Sequence, residues 1–399
     1  MLKNKQRRTH SYIPQPNLPH VEEALIAVIT RQPDWEFKLD FDEATWQIWL
    51  KQAQRHGLAG LIYWQWRDAP PPNVPSQIIS ALRQTYLTTF ARNTILFQEL
   101  ERILQISSEQ NLSVILLKGA VFAHSLYGDI GMRPMSDLDI LLHKDDLETG
   151  VAALLQLGYY EPVLHQREML KKEVAHDIHL RQVDPPQVDV EVHWLLVAGE
   201  GFRQKVDMNW FWSEALPHEG RQSNVYVLSP TANLLYLCVH LAYQHGMGMA
   251  GLLWYLDIAR YLVKYGGQVD WEKLIRQAEF AQWSAAVYYT LVALQEKFGT
   301  TLPEGVLEKL KANITPQEER QIQRNMVPIY GSAAQALKGF QNLTWRGKVK
   351  DIFSRLFPSL AFMRERYGIQ KDWMLIVGYP LRWVELSRKY LVYLRQKRG

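Results

Sequence analysis

A stretch near positions 111–200 interrupts a chain whose apolar residues otherwise recur at the three- and four-residue spacing of amphipathic helices. Residues 113–118 (SVILLK) form a short continuous apolar run that ends at Gly119, which is typical of a buried strand followed by a turn. A second strand is predicted at 137–142 (DLDILL), and residues 179–183 and 188–194 flank a DPPQ turn as a predicted hairpin. We therefore expect this block to be the only α/β part of the protein.

Helical patterns lie on both sides of the block, at 21–30, 42–67 and 75–110 before it and at 231–244, 252–265, 271–280 and 284–297 after it. This arrangement predicts an α+β fold with a small mixed sheet between helical regions. We expect four segments: an N-terminal helical region (1–110), an α/β core (111–205), a helical domain (206–340) and a basic helical tail (341–399).

The net charge of +4 conceals an uneven distribution. Residues 1–10 carry four basic and no acidic side chains, and residues 341–399 carry thirteen basic and four acidic ones, so the remaining body is acidic. The tail interleaves aromatic and basic residues, which makes it a candidate for peripheral contact with an anionic membrane surface. The other tryptophans and tyrosines are dispersed over helical patterns, so no specific nucleic-acid binding is predicted.

Cysteine content and hydropathy bear on the compartment. Cys238 is the one cysteine, so the chain can form no internal disulfide and no cysteine-based zinc site. The first twenty residues contain no apolar signal-peptide core, and no run of 18 uninterrupted apolar residues occurs. We expect a cytoplasmic protein, with the basic tail as its candidate peripheral membrane contact.

Acidic residues alternate with apolar ones on two of the predicted strands. Asp137 and Asp139 project to one face of their strand, and Asp189, Glu191 and His193 share a face of the later hairpin strand. Adjacent carboxylates repel each other unless a cation lies between them, and a divalent ion satisfies this condition. One residue of the later strand would complete the cluster if the two strands were neighbours.

The turn after the first strand supplies features of a phosphate site. A glycine after a buried strand allows backbone amides to approach phosphate oxygens, and Gly119 occupies this position. Lys118, Arg133 and Ser136 are close in sequence and provide positive charge and a hydroxyl. Metal ligands beside a phosphate site predict phosphoryl or nucleotidyl transfer.

The run LLKGAVFAHSLYGDIGMRPMSDLDILL, followed by VDVEVHW, resembles the uncharacterised nucleotidyltransferase family within the DNA polymerase β-like nucleotidyltransferase superfamily. The similarity extends over most of the chain and implies a small mixed-sheet nucleotidyltransferase core. It also implies that two carboxylates bind Mg²⁺ or Mn²⁺ and that a third is a ligand or activates the attacking hydroxyl. By this resemblance the metal-binding and catalytic residues are Asp137, Asp139 and Glu191, and the nucleotide-binding residues are Lys118, Gly119, Arg133 and Ser136.

The resemblance implies a metal-dependent transfer of a nucleoside monophosphate from an NTP to a hydroxyl acceptor, which is a small molecule, a sugar or a protein. Two features depart from the superfamily pattern: Ala120 follows Gly119 in place of glycine or serine, and the interval from Gly119 to Asp137 is long. The missing hydroxyl leaves open a catalytically inactive nucleotide-binding protein with the same fold. Asp189 also remains an alternative to Glu191, because both lie on the same face.

Histidines offer a third interpretation. His176, Asp177, His179 and His193 are close in sequence and could form a metal-dependent phosphohydrolase site. His179 and His193 lie on the predicted hairpin, whereas that class of enzyme places its ligands on helices. His240 and His245, on a predicted helix, are interpreted as structural.

Overall fold

The computed structural model describes residues 19–31, 39–162, 176–197, 206–326, 356–357, 363, 378–384 and 387. The described residues between 19 and 326 belong to one compact unit, and those from 356 onward belong to a second. The predicted site residues all lie in the first unit.

Strands of the first unit form one mixed sheet, seven-stranded within the described residues. They are β1 (Val114–Leu116), β2 (Leu138–Leu141), β3 (Tyr159–Tyr160), β4 (Asp177–Gln182), β5 (Asp189–His193), β6 (Ala215–Pro217) and β7 (Val225–Leu228). Their order across the sheet is β3-β4-β5-β2-β1-β7-β6. β2 is parallel to β5 and β1 is parallel to β7, whereas the other neighbouring pairs are antiparallel.

The two predicted strands and the hairpin are confirmed as β1, β2, β4 and β5. The expectation that strands occur only near 111–200 is wrong, because β6 and β7 lie further along the chain and β7 pairs with β1. These strands are three and four residues long. Segments this short carry too little hydrophobic periodicity to be distinguished from a loop, and pairing with β1 is what orders β7.

The predicted helical regions on both sides of the core are confirmed. The helices are α1 (Pro19–Thr30), α2 (Glu43–Arg55), α3 (Ala59–Trp66), α4 (Ser76–Glu109), α5 (Gly119–Ser125), α6 (Leu147–Gln156), α7 (Met208–Ser213), α8 (Pro230–Val239), α9 (Leu252–Tyr265), α10 (Trp271–Ala281), α11 (Ser284–Phe298), α12 (Val306–Ala312) and α13 (Pro316–Met326). A π-helical segment, His240–Gly246, continues α8, and short 3₁₀ turns occur at Lys144–Asp146 and Gly266–Gln268.

Local sequence explains several helix ends. Four helices follow a capping residue whose side chain accepts a hydrogen bond from a backbone amide of the first turn. These capping residues are Asp42, Asp207, Ser229 and Asp270. Pro230 follows Ser229 at the first helical position, where its missing N–H leaves no bond unmade. The start of α8, which leads into the π-helical segment, is therefore defined by its own sequence.

Alternation along β2 and β5 divides the sheet into an apolar and a polar face. Leu138 and Ile140 of β2, with Val190 and Val192 of β5, are buried in the cluster that also contains the α4 side chains of residues 96, 100, 103 and 104. Each such aliphatic side chain contributes roughly 1.5–3 kcal/mol when it is removed from water. The intervening residues, including Asp139, are thereby directed to the opposite face.

In the second unit, residues 378–384 are helical. The indole of Trp383 donates a 2.9 Å hydrogen bond to the carbonyl of Leu356, and Phe357 packs against Tyr379 and Trp383. Most of the predicted basic tail and the basic residues 1–10 lie outside the described residues, so membrane contact stays a prediction. Within the described part of the chain, no helix combines the length and hydrophobicity needed to cross a bilayer.

Candidate metal centre

Three potential metal ligands meet on the polar face of β2 and β5. Asp139 lies directly opposite Glu191 in the parallel register, and His193 follows two residues later on β5. The imidazole Nε2 of His193 is 3.0 Å from Oδ1 of Asp139 and 3.6 Å from Oε2 of Glu191. One ligand atom from each of the three residues lies within 4.8 Å of the other two. This grouping gives His193 a position that the resemblance did not assign to it.

Burial and mutual charge perturb the acid–base properties of this cluster. Burial opposes ionisation of Asp139, but the ammonium of Lys118 and the hydrogen bond from His193 hold its pKa well below the usual range. Burial also opposes protonation of His193, yet its hydrogen bonds to Asp139 and Glu191 raise its pKa to about 9. Buried groups with strongly shifted pKa values are concentrated at functional sites.

Asp137 lies one residue before β2 and is half-buried. Desolvation, followed by the nearby charges of Asp139 and Glu191, raises the pKa of Asp137 to about 6, against the opposing effects of Lys118 and of a hydrogen bond with Ser136. Three carboxylates are therefore near enough to influence one another, and Ser136 is exposed beside the first of them. Asp137 is outside the compact three-ligand group formed by Asp139, Glu191 and His193.

The structure places the ammonium of Lys118 on a carboxylate. Its Nζ is 2.7 Å from Oδ1 of Asp139 and 3.1 Å from Nε2 of His240. The Lys118 backbone has φ 44° and ψ −115°, a conformation that residues other than glycine rarely adopt. This strained position, immediately before α5, brings the side chain to the metal-ligand cluster.

His240 opens the π-helical segment and is buried. Burial, reinforced by the charge of Lys118, lowers its pKa well below the usual value, so the ring is neutral and its Nε2 accepts a hydrogen bond from the ammonium. π-Helical turns occur frequently at functional sites. The interpretation of His240 as merely structural overlooked this contact, because Lys118 is 122 residues away in the chain.

Gly119 is closely packed at the start of α5. A Cβ at this position would lie 2.8 Å from Nη1 of Arg133 and 2.9 Å from Sδ of Met135. Separations below 3.0 Å are essentially never seen for real Cβ atoms, so a larger residue would force a shift. The predicted turn glycine is thus found at a tight approach between α5 and the segment that leads to Asp137.

Arg133 belongs to a buried polar network with Asp257 and Tyr127. Its guanidinium Nη2 is 2.7 Å from Oδ2 of Asp257, and Nε lies 3.1 and 3.2 Å from the two carboxylate oxygens. The hydroxyl of Tyr127 donates to Oδ1 of Asp257 at 2.7 Å. Arg133 and Asp257 are both about 95% buried, so this pair connects the approach to β2 with α9.

The segment before β2 is also held by α4. The buried amide of Asn93 donates to the carbonyls of Ile130 and Arg133 at 2.6 and 2.7 Å. The hydroxyl of Tyr86 donates to Asp129, whose carboxylate accepts from the backbone N–H of Gly131 at 2.8 Å. These bonds give a long glycine-containing segment a defined path to Asp137.

The alternatives for the third carboxylate are placed differently. Asp189 forms a two-point ion pair with Arg181, at 2.6 and 2.9 Å, and lies 3.2 Å from Nε2 of His179. Glu191, by contrast, faces Asp139. His176 forms an ion pair with the adjacent Asp177, and the centroids of the His176 and His193 rings lie 5.7 Å apart.

Residues 42–299 match the protein family described as uncharacterised nucleotidyltransferase. The chain belongs to this family. The resemblance inferred from the sequence is confirmed, and membership supports a role in nucleotidyl transfer with an NTP substrate. No curated protein and no solved structure is significantly similar to the chain. In this member of the family, Asp139, Glu191 and His193 form a group that could bind a metal ion.

Proposed function

We propose that the protein is a metal-dependent nucleotidyltransferase that moves a nucleoside monophosphate from an NTP to a hydroxyl acceptor. The observation that carries this proposal is the pairing of Asp139 with Glu191 across adjacent parallel strands, with His193 beside both, in a chain of the nucleotidyltransferase family. Asp137, Asp139 and Glu191 are the proposed metal-binding carboxylates.

The donor set suits a divalent cation. Mg²⁺ in nucleotide enzymes is bound by one or two carboxylates together with substrate phosphates, and Mn²⁺ accepts similar oxygen ligands. Imidazole nitrogen is a more common ligand of later transition metals, so His193 favours Mn²⁺ over Mg²⁺ among these two ions. We therefore propose Mg²⁺ or Mn²⁺ as the cofactor. Bound there, such an ion would neutralise phosphate charge and polarise the reacting phosphoryl group.

The proposed reaction is an attack by an acceptor oxygen on the α-phosphorus of the NTP. A new phosphorus–oxygen bond forms, the bond to pyrophosphate breaks, and the acceptor hydroxyl loses its proton. The Glu191 side chain is 32% exposed, the largest exposure in the three-ligand group, which suits it to receive that proton. Asp139, buried and ionised, would hold its position throughout.

The proposed contacts of the nucleotide are Lys118, Gly119, Arg133 and Ser136. Ser136 is exposed beside Asp137, and Gly119 begins α5. The guanidinium of Arg133 is already bonded to Asp257, which favours a positioning role for it. Residues 206–340 are the proposed acceptor side, because His240 reaches the cluster from this part of the chain.

The proposal is tested by incubating the purified protein with each labelled NTP, Mg²⁺ or Mn²⁺, and fractionated lysate, and by measuring label transfer and pyrophosphate release. We expect wild type to transfer label, and we expect the activity of Asp139→Asn and of Glu191→Gln to be at least ~100-fold lower. Asp189→Asn is the matched control, because Asp189 is a carboxylate of the same strand that pairs with Arg181. Equal activity of wild type and both site variants would contradict the assignment.

Two observations favour a second candidate, a nucleotide-binding protein without turnover. Asp139 is already neutralised by the ammonium of Lys118, and Ala120 follows Gly119 without a hydroxyl. Such a protein would bind a Mn²⁺–NTP complex in equilibrium dialysis and release no pyrophosphate with any acceptor fraction. Measurement of binding and release on one preparation distinguishes the two candidates.

A further inference from the structure

We propose that Lys118 takes the place of a second metal ion, so that the centre binds a single divalent cation. The inference rests on the proposed function and concerns how the same site neutralises its charge. Its geometric basis is the position of the Lys118 ammonium, 2.7 Å from Asp139 and 3.1 Å from His240.

A two-ion centre requires carboxylate oxygens that are free to bridge ions about 3.5–4 Å apart. Asp139 is the most buried carboxylate of the cluster, and its Oδ1 already contacts both the Lys118 ammonium and Nε2 of His193. A single ion bound in this cluster through the remaining coordination capacity of Asp139 leaves the contact with Lys118 intact. A second ion on the Lys118 side would have to displace the ammonium.

The ammonium is held from its other side. His240 is buried and neutral, and its Nε2 can only accept a hydrogen bond when its proton is on Nδ1, as the contact with Lys118 requires. The hydroxyl of Tyr236 is buried, lacks a hydrogen-bond partner of ordinary geometry, and is close enough to Lys118 and Asp139 for their charges to affect its pKa. The Lys118 ammonium is therefore surrounded by the polar side chains of Asp139, His240 and Tyr236 at a largely buried position.

The backbone supports the same conclusion. Glycine would adopt a positive φ at position 118 without steric cost, yet the chain carries a lysine there at φ 44°. Its side chain is 16% exposed, so the charged end is directed into the protein. A lysine in a strained backbone conformation at this point indicates that its ammonium has a local use, and the only carboxylate it contacts among the described residues is Asp139.

The experiment counts Mn²⁺ ions per chain by titration calorimetry, and it detects pairs of ions by the exchange coupling in their electron paramagnetic resonance spectrum. Mn²⁺ alone is the probe. We expect one uncoupled ion in wild type and two coupled ions in Lys118→Met, in which the neutral side chain leaves the second position to an ion. Lys273→Met is the matched control, because Lys273 pairs with Glu214 away from the cluster, and it should bind one ion.

Two coupled ions in wild type would overturn the inference and leave nucleotidyl transfer intact. An unchanged single ion in Lys118→Met would also overturn it, since the second position would then not depend on Lys118. Absence of any bound ion in wild type would overturn both this inference and the metal dependence of the proposed function. If Lys118→Met does not give a native circular dichroism spectrum, Lys118→Gln replaces it, and the same ion counts are expected. In either case, two coupled ions in wild type overturn the inference.

Discussion

Asp139 and Glu191 lie directly opposite one another on β2 and β5, although more than fifty residues separate them in the chain. The parallel register places their side chains on the same face, and the next residue on that face, His193, reaches Oδ1 of Asp139. The cluster is therefore a property of strand order. β4 and β5 form a local hairpin, whereas the pairing of β5 with β2 brings the distant carboxylates together.

His193 provides the first prediction. As the nitrogen donor of the three-ligand group, it should contribute directly to metal affinity, so His193→Gln should weaken Mn²⁺ binding by at least ~10-fold, within the 10–100-fold range seen even for outer-shell partners. Titration calorimetry measures the change. His218→Gln is the control, since the ring of His218 contacts the carbonyl of Glu219, outside the three-ligand group, and this variant should retain wild-type affinity. Equal affinities for the two variants would exclude His193 as a ligand.

Gly119 provides a test of close packing. In Gly119→Ala the new Cβ would lie 2.8 Å from Nη1 of Arg133 and 2.9 Å from Sδ of Met135. We therefore expect the free energy of unfolding to fall by about 1–3 kcal/mol. Urea denaturation measures it. In Gly267→Ala the added Cβ would meet nothing within 4 Å, so this variant should be at least as stable as wild type. A neutral Gly119→Ala would show that the approach to Arg133 is looser than the structure indicates.

Arg133 and Asp257 form a buried ion pair whose loss should be costly from either side. Asp257→Asn leaves the guanidinium without its counter-charge, so we expect about 3–5 kcal/mol of destabilisation in urea unfolding. The double variant Arg133→Met/Asp257→Leu removes both charges. Its loss of unfolding free energy should be smaller than the sum of the losses in Arg133→Met and Asp257→Leu measured separately. Strict additivity would mean that the two side chains do not interact energetically.

An exposed ion pair gives the matched comparison for this experiment. Lys309 and Glu272 contact each other on the surface, with side chains that are 55% and 60% exposed. Solvent screens such a pair, so Glu272→Gln should cost less than ~1 kcal/mol. A cost comparable to that of Asp257→Asn would show that burial does not determine the strength of these pairs.

The sequence predicts those parts of the fold and site that depend on local patterns. The Asp-x-Asp alternation of β2 and the glycine after β1 indicate which residues share a face, and a resemblance to known proteins indicates their chemistry. The partners of Lys118 and Arg133 were not predictable, because His240 and Asp257 are more than 120 residues away and their helices show only ordinary amphipathic spacing. β7 escaped detection for the related reason that a distant strand determines its structure.

His56 predicts how stability depends on pH. Burial, followed by the charge of Arg55, lowers the pKa of His56 to about 4, and its Nδ1 accepts a hydrogen bond from the backbone N–H of Leu252 at the start of α9. In the unfolded chain the imidazole has its usual pKa near 6.5. Below pH 6.5 the unfolded state therefore takes up a proton that the folded state does not accept until about pH 4.

Stability should consequently fall as pH decreases from 6.5 to 4, with this group contributing up to about 3 kcal/mol of the loss. Urea unfolding at a series of pH values measures the slope. His56→Gln should reduce the slope in this interval, whatever its effect at pH 7, because glutamine does not titrate; burial also lowers the pKa values of His240 and His245, so part of the slope remains. A slope in His56→Gln equal to that of wild type would assign the acid sensitivity to other groups.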